Sequence, residues 1–230
     1  MFYKKKDEEL KSGVLFQLGW DSRVRQTEIG VIVKDGVVTL TGTVGSYAEK
    51  IAAKEAAHRV RGVLDVANDI EVHVPGDALG NDADIAQAVR HALDWDVLVP
   101  ADQIHSTVTH GWVTLEGNVE NYRHRLDAER AVGHLRGVRG VTNSITVVAP
   151  INPEKLKHVI EDVLSVRAER EAVRIKVQVE GGEVSLGGAV NSWDEANAIL
   201  GAVSHAPGVT AVHDHLVIHP YDLSFEAAQS

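Results

Sequence analysis

Three kinds of residue in this 230-residue chain have types and spacings that could do chemistry. Histidine occurs 12 times, and His213, His215 and His219 fall close together. His213 and His215 stand two apart, so on a strand they share one face and could ligate zinc or nickel. Local spacing supplies no third ligand, so the expectation is a solvated strand face and no metal site. Aromatics recur at matched places: Tyr47, Tyr122 and Trp193 in one set, Trp20 and Trp95 in another. Such rings anchor proteins to bilayer interfaces. They also cover apolar area inside a fold, here beside Gly42, Gly117 and Gly188. They are therefore candidate membrane or partner contacts, with packing against a sheet edge as the plainer reading. Glycine-marked runs such as Gly36–Gly42 invite comparison with phosphate loops, but they lie between two strand-like runs and do not precede a helix. No Ser/His/Asp order and no carboxylate pair repeats along the chain. No catalytic residue and no cofactor is predicted, and an enzyme is not expected.

Composition narrows the classes further. Lys and Arg number 23 against 33 Asp and Glu, a net charge of −10, which makes the chain a poor general binder of nucleic acid. It also repels an anionic lipid surface at long range. The absence of cysteine excludes disulfides, thiolate chemistry and Cys-ligated metal. Lys4-Lys5-Lys6 is followed by acidic residues, so no secretory signal is visible. A cytoplasmic protein is expected, membrane-peripheral where it meets lipid.

The elements that must position these residues come from an internal repeat. Gly36, Gly111 and Gly182 stand 75 and 71 residues apart. The same offsets relate Tyr47, Tyr122 and Trp193, and also Gly62, Gly137 and Gly208, without a gap. Three copies of one module follow, near 7–75, 82–150 and 152–220. Each opens with apolar residues four apart (Leu10, Val14, Leu18; Ile85, Val89, Leu93; Leu156, Ile160, Leu164), the stripe of an amphipathic helix. Asp35-Gly36 supplies the positive φ values of a two-residue hairpin turn. This turn predicts Val33 opposite Val38, Val31 opposite Leu40 and Gly42 opposite Ile29. The second copy gives Val108 with Val113 and Gly117 with Ile104, and the third gives Val179 with Val184. Ser46 with Glu49, and Ser192 with Glu195, match the capping box of a second helix, with Asn121 at the cap in the middle copy. That helix is expected to end at Gly62, Gly137 or Gly208. A last strand carries Val66, Asn68, Ile70 and Val72 on one face. The fold class is α+β: three tandem αββαβ modules, each a three-stranded mixed sheet with two helices on one face. The linker beginning Pro75-Gly76 reads as loose. The one containing Pro150 and Pro153 reads as stiff, so copies two and three should hold the more fixed relation.

These residues resemble a known family. The pattern runs from Gly36 to Val44, then Ser46, Glu49, Gly62-Val63 and Asn68. It returns as Gly111 to Val119, Gly137-Val138 and Asn143, and as Gly182, Gly188 and Gly208 with Asp214 in place of the asparagine. It is similar to the BON domain of bacterial osmotic-stress and nodulation proteins. The resemblance implies a non-enzymatic module that contacts phospholipid surfaces in envelope- or osmotic-stress proteins, often periplasmic. The function expected is a stress-associated binding or scaffold protein that meets a phospholipid surface or a protein partner. The other reading is a soluble small-ligand or cation sensor whose module arrangement changes on binding.

Overall fold

The computed structural model describes residues 7–76, 81–148, 156–160 and 175–219. The first module runs α1 (Asp7–Trp20), β1 (Ile29–Lys34), β2 (Val37–Val44), α2 (Tyr47–His58), β3 (Asp65–Asn68) and β4 (Glu71–Val72). The second runs α3 (Asp82–Trp95), β5 (Ile104–Thr109), β6 (Trp112–Val119), α4 (Tyr122–Gly133) and β7 (Gly140–Val147). In the third, residues 156–160 are helical (α5), followed by β8 (Lys176–Glu180), β9 (Glu183–Val190), α6 (Trp193–Ser204) and β10 (Ala211–Ile218). Leu164, the last residue of the stripe predicted for the third module's first helix, lies outside the described residues, as do Pro150 and Pro153 of the second linker.

Each sheet is mixed, with the second hairpin strand at its centre. β1 pairs antiparallel with β2, and β3 and β4 pair parallel with the same strand. The parallel partner lies 28 residues on in all three modules: Val38↔Val66, Val113↔Val141, Val184↔Val212. β3 and β4 keep that one register and are a single strand interrupted at Asp69-Ile70. The hairpin registers are those the turn residues predict. Both turn residues have positive φ in every copy (Asp35 53°, Gly36 84°; His110 52°, Gly111 77°; Gly181 54°, Gly182 91°). The predicted helical stripes Leu10, Val14, Leu18 and Ile85, Val89, Leu93 are buried, as are Leu156 and Ile160. Ala52, Ala53, Ala56 and Ala57 let α2 sit close on its sheet.

Several local details differ from expectation, each for a clear reason. The second helices end at His58, Gly133 and Ser204, four residues before the glycines. Gly62, Gly137 and Gly208 instead occupy the third position of a turn closed by Val63 N–H to the Val60 carbonyl, repeated at Leu135–Val138 and Ala206–Val209. Their φ values of 102°, 88° and 97° are what that position requires. Ser46 and Ser192 accept from the amides of Glu49 and Glu195, as predicted. The glutamates, however, reach one residue further back, to the amides of Gly45 and Asn191. Asn121 accepts from Arg123, two residues on. The first helices also brace the hairpin turns: Asp7 accepts from the amides of Asp35 and Gly36, and Asp82 from those of His110 and Gly111. Those two amide bonds hold the Asp82 carboxyl below the usual carboxylate range.

Strand alternation alone puts Gly42 and Gly117 on the face of the second helix, but the atoms a side chain there would meet belong to the preceding turn. The φ values of Gly42, Gly117 and Gly188 are 115°, 143° and 135°. A Cβ on Gly42 would overlap the Glu28 carbonyl oxygen, and one on Gly117 that of Gln103. These glycines let the centre strand pass beneath the short 3₁₀ turns Gln26–Glu28 and Ala101–Gln103.

Candidate functional site

The first set of aromatics belongs to contacts between modules. Each opens a second helix and packs on the module's own core. Each also reaches the next module, where the partner positions that can be named sit at the second helix's C-terminal end. Tyr47 touches the buried cores of modules one and two. Gly133, the last residue of α4, lies so close that an added Cβ would sit 3.7 Å from the Tyr47 ring and 3.9 Å from Ile51. The Tyr47 amide donates to the Val138 carbonyl at 3.4 Å. Burial, with the charge of Glu129 from module two, pushes the Tyr47 phenol up. Tyr122 likewise packs on the cores of modules two and three. Trp193 packs on the core of module three and stacks on His58, the last residue of α2 in module one, with ring centroids 4.0 Å apart and planes 8° from parallel. His58 and Gly133 are equivalent positions in the repeat. Modules one to two, two to three and three to one are thus joined head to tail. This is a heterologous contact that closes on itself after three steps.

The closing joint carries a titratable group. His58 is pushed down to about 4 by burial and by nearby Lys54, against the smaller pull of Asp65 and Glu55. The folded value lies below the ordinary one near 6.5, so neutral His58 favours the closed joint. Attraction of an imidazolium to the indole face works the other way. Burial and Lys54 set the net direction. The stability that neutral His58 gives the folded protein, in which the joint has a share, is fully present above about pH 6.5 and is lost progressively as pH falls through about 4. A distance between labels on modules one and three, followed from pH 7.5 to 4, is expected to lengthen over that window. His58→Gln is expected to flatten the response. An equal response in His58→Gln would place the sensitivity elsewhere.

The second set stays open to solvent. Trp20 ends α1 and is 79% exposed, and Trp95 ends α3 and is 85% exposed. Phe16 stacks on Trp20 with centroids 6.1 Å apart, and Leu15, Phe16, Gly19, Trp20 and Gln26 line a shallow open groove. Val97, 96% exposed, and Leu98 follow Trp95 in the chain. His213 and His215 both lie exposed on β10, and His213 meets the Glu183 carboxylate at 2.9 Å. Among the described residues no group of three or more His, Cys, Asp or Glu is placed to hold a metal ion.

The asparagines tie the last strand to the second helix. Asn68 donates to the Lys50 carbonyl, and its side-chain oxygen accepts from the amide of Ile70. Asn143 repeats both bonds with Arg125 and Ile145. The profile of the BON domain matches residues 6–73, 81–149 and 154–220. The chain belongs to the BON domain family. Among curated proteins it is similar to osmotically-inducible protein Y of Escherichia coli (strain K12), 30% identical over 126 residues. That match spans 53% of this chain and 63% of the relative. Among solved structures it matches CdsD, a structural protein of the type III secretion system of Chlamydia trachomatis, at 14% identity. That match covers 95% of this chain and 96% of that one, with a TM-score of 0.26. The periplasmic domain of PrgH matches at 10% identity over 85% and 96%, with a TM-score of 0.20. Scores this low do not establish a shared overall arrangement. The third BON module keeps half of the asparagine's role: Asp214 accepts from the amide of Leu216 but has no side-chain N–H to donate to the helix.

What the sequence did not reveal is the joint partner His58, the bracing pair Asp7 and Asp82, and Trp112 on an outer sheet face. The repeat offset held a signal for the bracing pair, since Asp7 and Asp82 stand 75 apart.

Proposed function

We propose that this BON protein is a non-catalytic contact unit that rests on a phospholipid surface through the aromatic tips of its first helices. The exposure of Trp20 and Trp95 at equivalent positions supports this reading most directly. In a head-to-tail ring, equivalent positions lie on the same side. The two indoles, with Phe16, Val97 and Leu98 beside them, then present one apolar footing. Among the described residues no helix is long and apolar enough to cross a membrane, so contact by these tips would be superficial. An indole half withdrawn from water contributes about 2 kcal/mol. Two on one chain reinforce each other. The segments 7–75, 82–150 and 152–220 carry net charges of −3, −3 and −4, so charge opposes anionic lipid.

The expected result is salt-insensitive co-sedimentation with zwitterionic vesicles, at least as strong as with anionic ones. Trp20→Ala with Trp95→Ala should lower it by about tenfold or more. Tight, salt-sensitive binding to anionic vesicles, or full binding by the double variant, would refute this footing. A cation-driven thermal shift without vesicle binding would favour a sensor instead.

A further inference from the structure

The middle module's outer sheet face differs from the other two. Trp112 opens β6 there, 50% exposed. Its indole lies across β7 on Gly140, where an added Cβ would come within 2.5–2.7 Å of three ring carbons. The Trp112 Nε1–H donates to the Thr142 hydroxyl at 2.8 Å. A glycine beneath and a hydroxyl at its edge pin the ring flat, with one face open to solvent. Register fixes its surroundings. Trp112 lies between Thr109 and Gly140, and the next outward row is Thr107, Thr114 and Thr142. The row after is His105, Glu116 and Ser144. All of these polar residues except half-buried Thr114 are exposed. At the positions of Trp112 and Gly140, module one has Val37 and Asp65, and module three has Glu183 and Ala211. Neither has an indole seat.

We propose that this face binds a neutral oligosaccharide, with a pyranose ring stacked on Trp112 and its hydroxyls bonded to the threonine rows and to Glu116. Charge selects this ligand. These three outward rows hold no Lys or Arg and a single carboxylate, in a chain of net charge −10, so nothing there attracts phosphate, anionic lipid or acidic peptide. An acyl chain or an apolar protein surface would strip water from the hydroxyl rows without replacing their hydrogen bonds, at a cost for each. A pyranose offers both parts: an apolar C–H face for the indole and a rim of hydroxyls that donate and accept. The platform is rigid before binding, which lowers the ordering cost.

The test uses the full chain and two probes, chitotetraose and cellotetraose, followed by the indole N–H signals of the four tryptophans. A saturable shift at Trp112 with at least one probe, with Trp20 and Trp95 unmoved, is expected. Trp112→Ala should weaken binding by about tenfold or more. Thr142→Val, which frees the indole edge, should weaken it by about threefold to fivefold. Thermal melts should show both variants cooperatively folded at the assay temperature, with Trp112→Ala melting lower for the packing it loses on Gly140. No saturable shift at millimolar sugar, equal affinity in Trp112→Ala, or a response centred on Trp20 or Trp95 would each overturn the proposal. A Trp112 shift caused by vesicles and not by sugar would overturn it in favour of lipid. Vesicle co-sedimentation of Trp112→Ala should be unchanged, so the two readings fail separately.

Discussion

Gly117→Val is expected to unfold the middle module at a denaturant concentration that leaves Thr114→Val folded. Two costs fall on the same Cβ. The φ of 143° is one that L side chains rarely adopt, and the added carbon would overlap the Gln103 carbonyl oxygen while lying 3.2 Å from its carbon and from the Ile104 Cα. Backbone on both sides leaves little that can yield. Strain of this kind costs about 1–3 kcal/mol and overpacking a similar amount, so a loss of about 3 kcal/mol or more is expected. A module near 70 residues has little stability in reserve. Thr114 points outward from the same strand, where a change is worth no more than about 0.5 kcal/mol. Paired urea melts should separate the two midpoints by about 1 M or more. Coincident midpoints would mean that the strand can pass the 3₁₀ turn with a side chain present, and the packing account of this glycine would be lost.

Trp193→Ala is expected to detach module three from module one while leaving both folded. The indole both covers the module-three core and lies on His58, so truncation removes contact on two sides. A fully buried tryptophan typically costs about 3–5 kcal/mol to truncate; for this half-buried one about 2–3 kcal/mol is expected. Trp193 Nε1 is buried without a hydrogen-bond partner, so truncation removes apolar contact and breaks no hydrogen bond. Tyr122 still holds module three to module two, so the ring should gape without coming apart. Adding Tyr122→Ala should release module three altogether. Small-angle scattering, with a label distance between modules one and three, follows both steps. An unchanged particle size and distance in the double variant would show that the joints do not hold the arrangement.

Much of the fold was legible because local rules and the repeat agreed. Asp35-Gly36 fixed the turn, the turn fixed Val33 opposite Val38, and the 75- and 71-residue offsets carried that register through the chain. The second helices were placed by Ser46, Asn121 and Ser192, each of which caps as expected. The roles of Gly42 and Gly117 were misjudged because the obstacle is backbone from the preceding turn, which side-chain alternation does not encode. The joints were hidden for a different reason. Tyr47, Tyr122 and Trp193 have the same local pattern whether they meet lipid, their own sheet or another module. Only three-dimensional closure brings Tyr47 to Gly133 and Trp193 to His58. Trp112 was passed over because the residue that makes it a platform, Gly140, is distant in sequence.

Since each module both offers an aromatic and receives one, no module is intrinsically first or last. The order of the chain is a matter of which two joints the linkers happen to span, and circular permutants that move the break should assemble the same ring. Removing one module has the opposite character. A two-module fragment keeps one satisfied joint, one aromatic without a seat and one helix end without a ring upon it. Nothing inside such a fragment can close the cycle, so its free ends are complementary to those of its neighbours. Because the contact closes after three steps, a second fragment can seat only its first module before its second meets a place already filled, so such pieces stay short of the closure that the whole chain completes by itself.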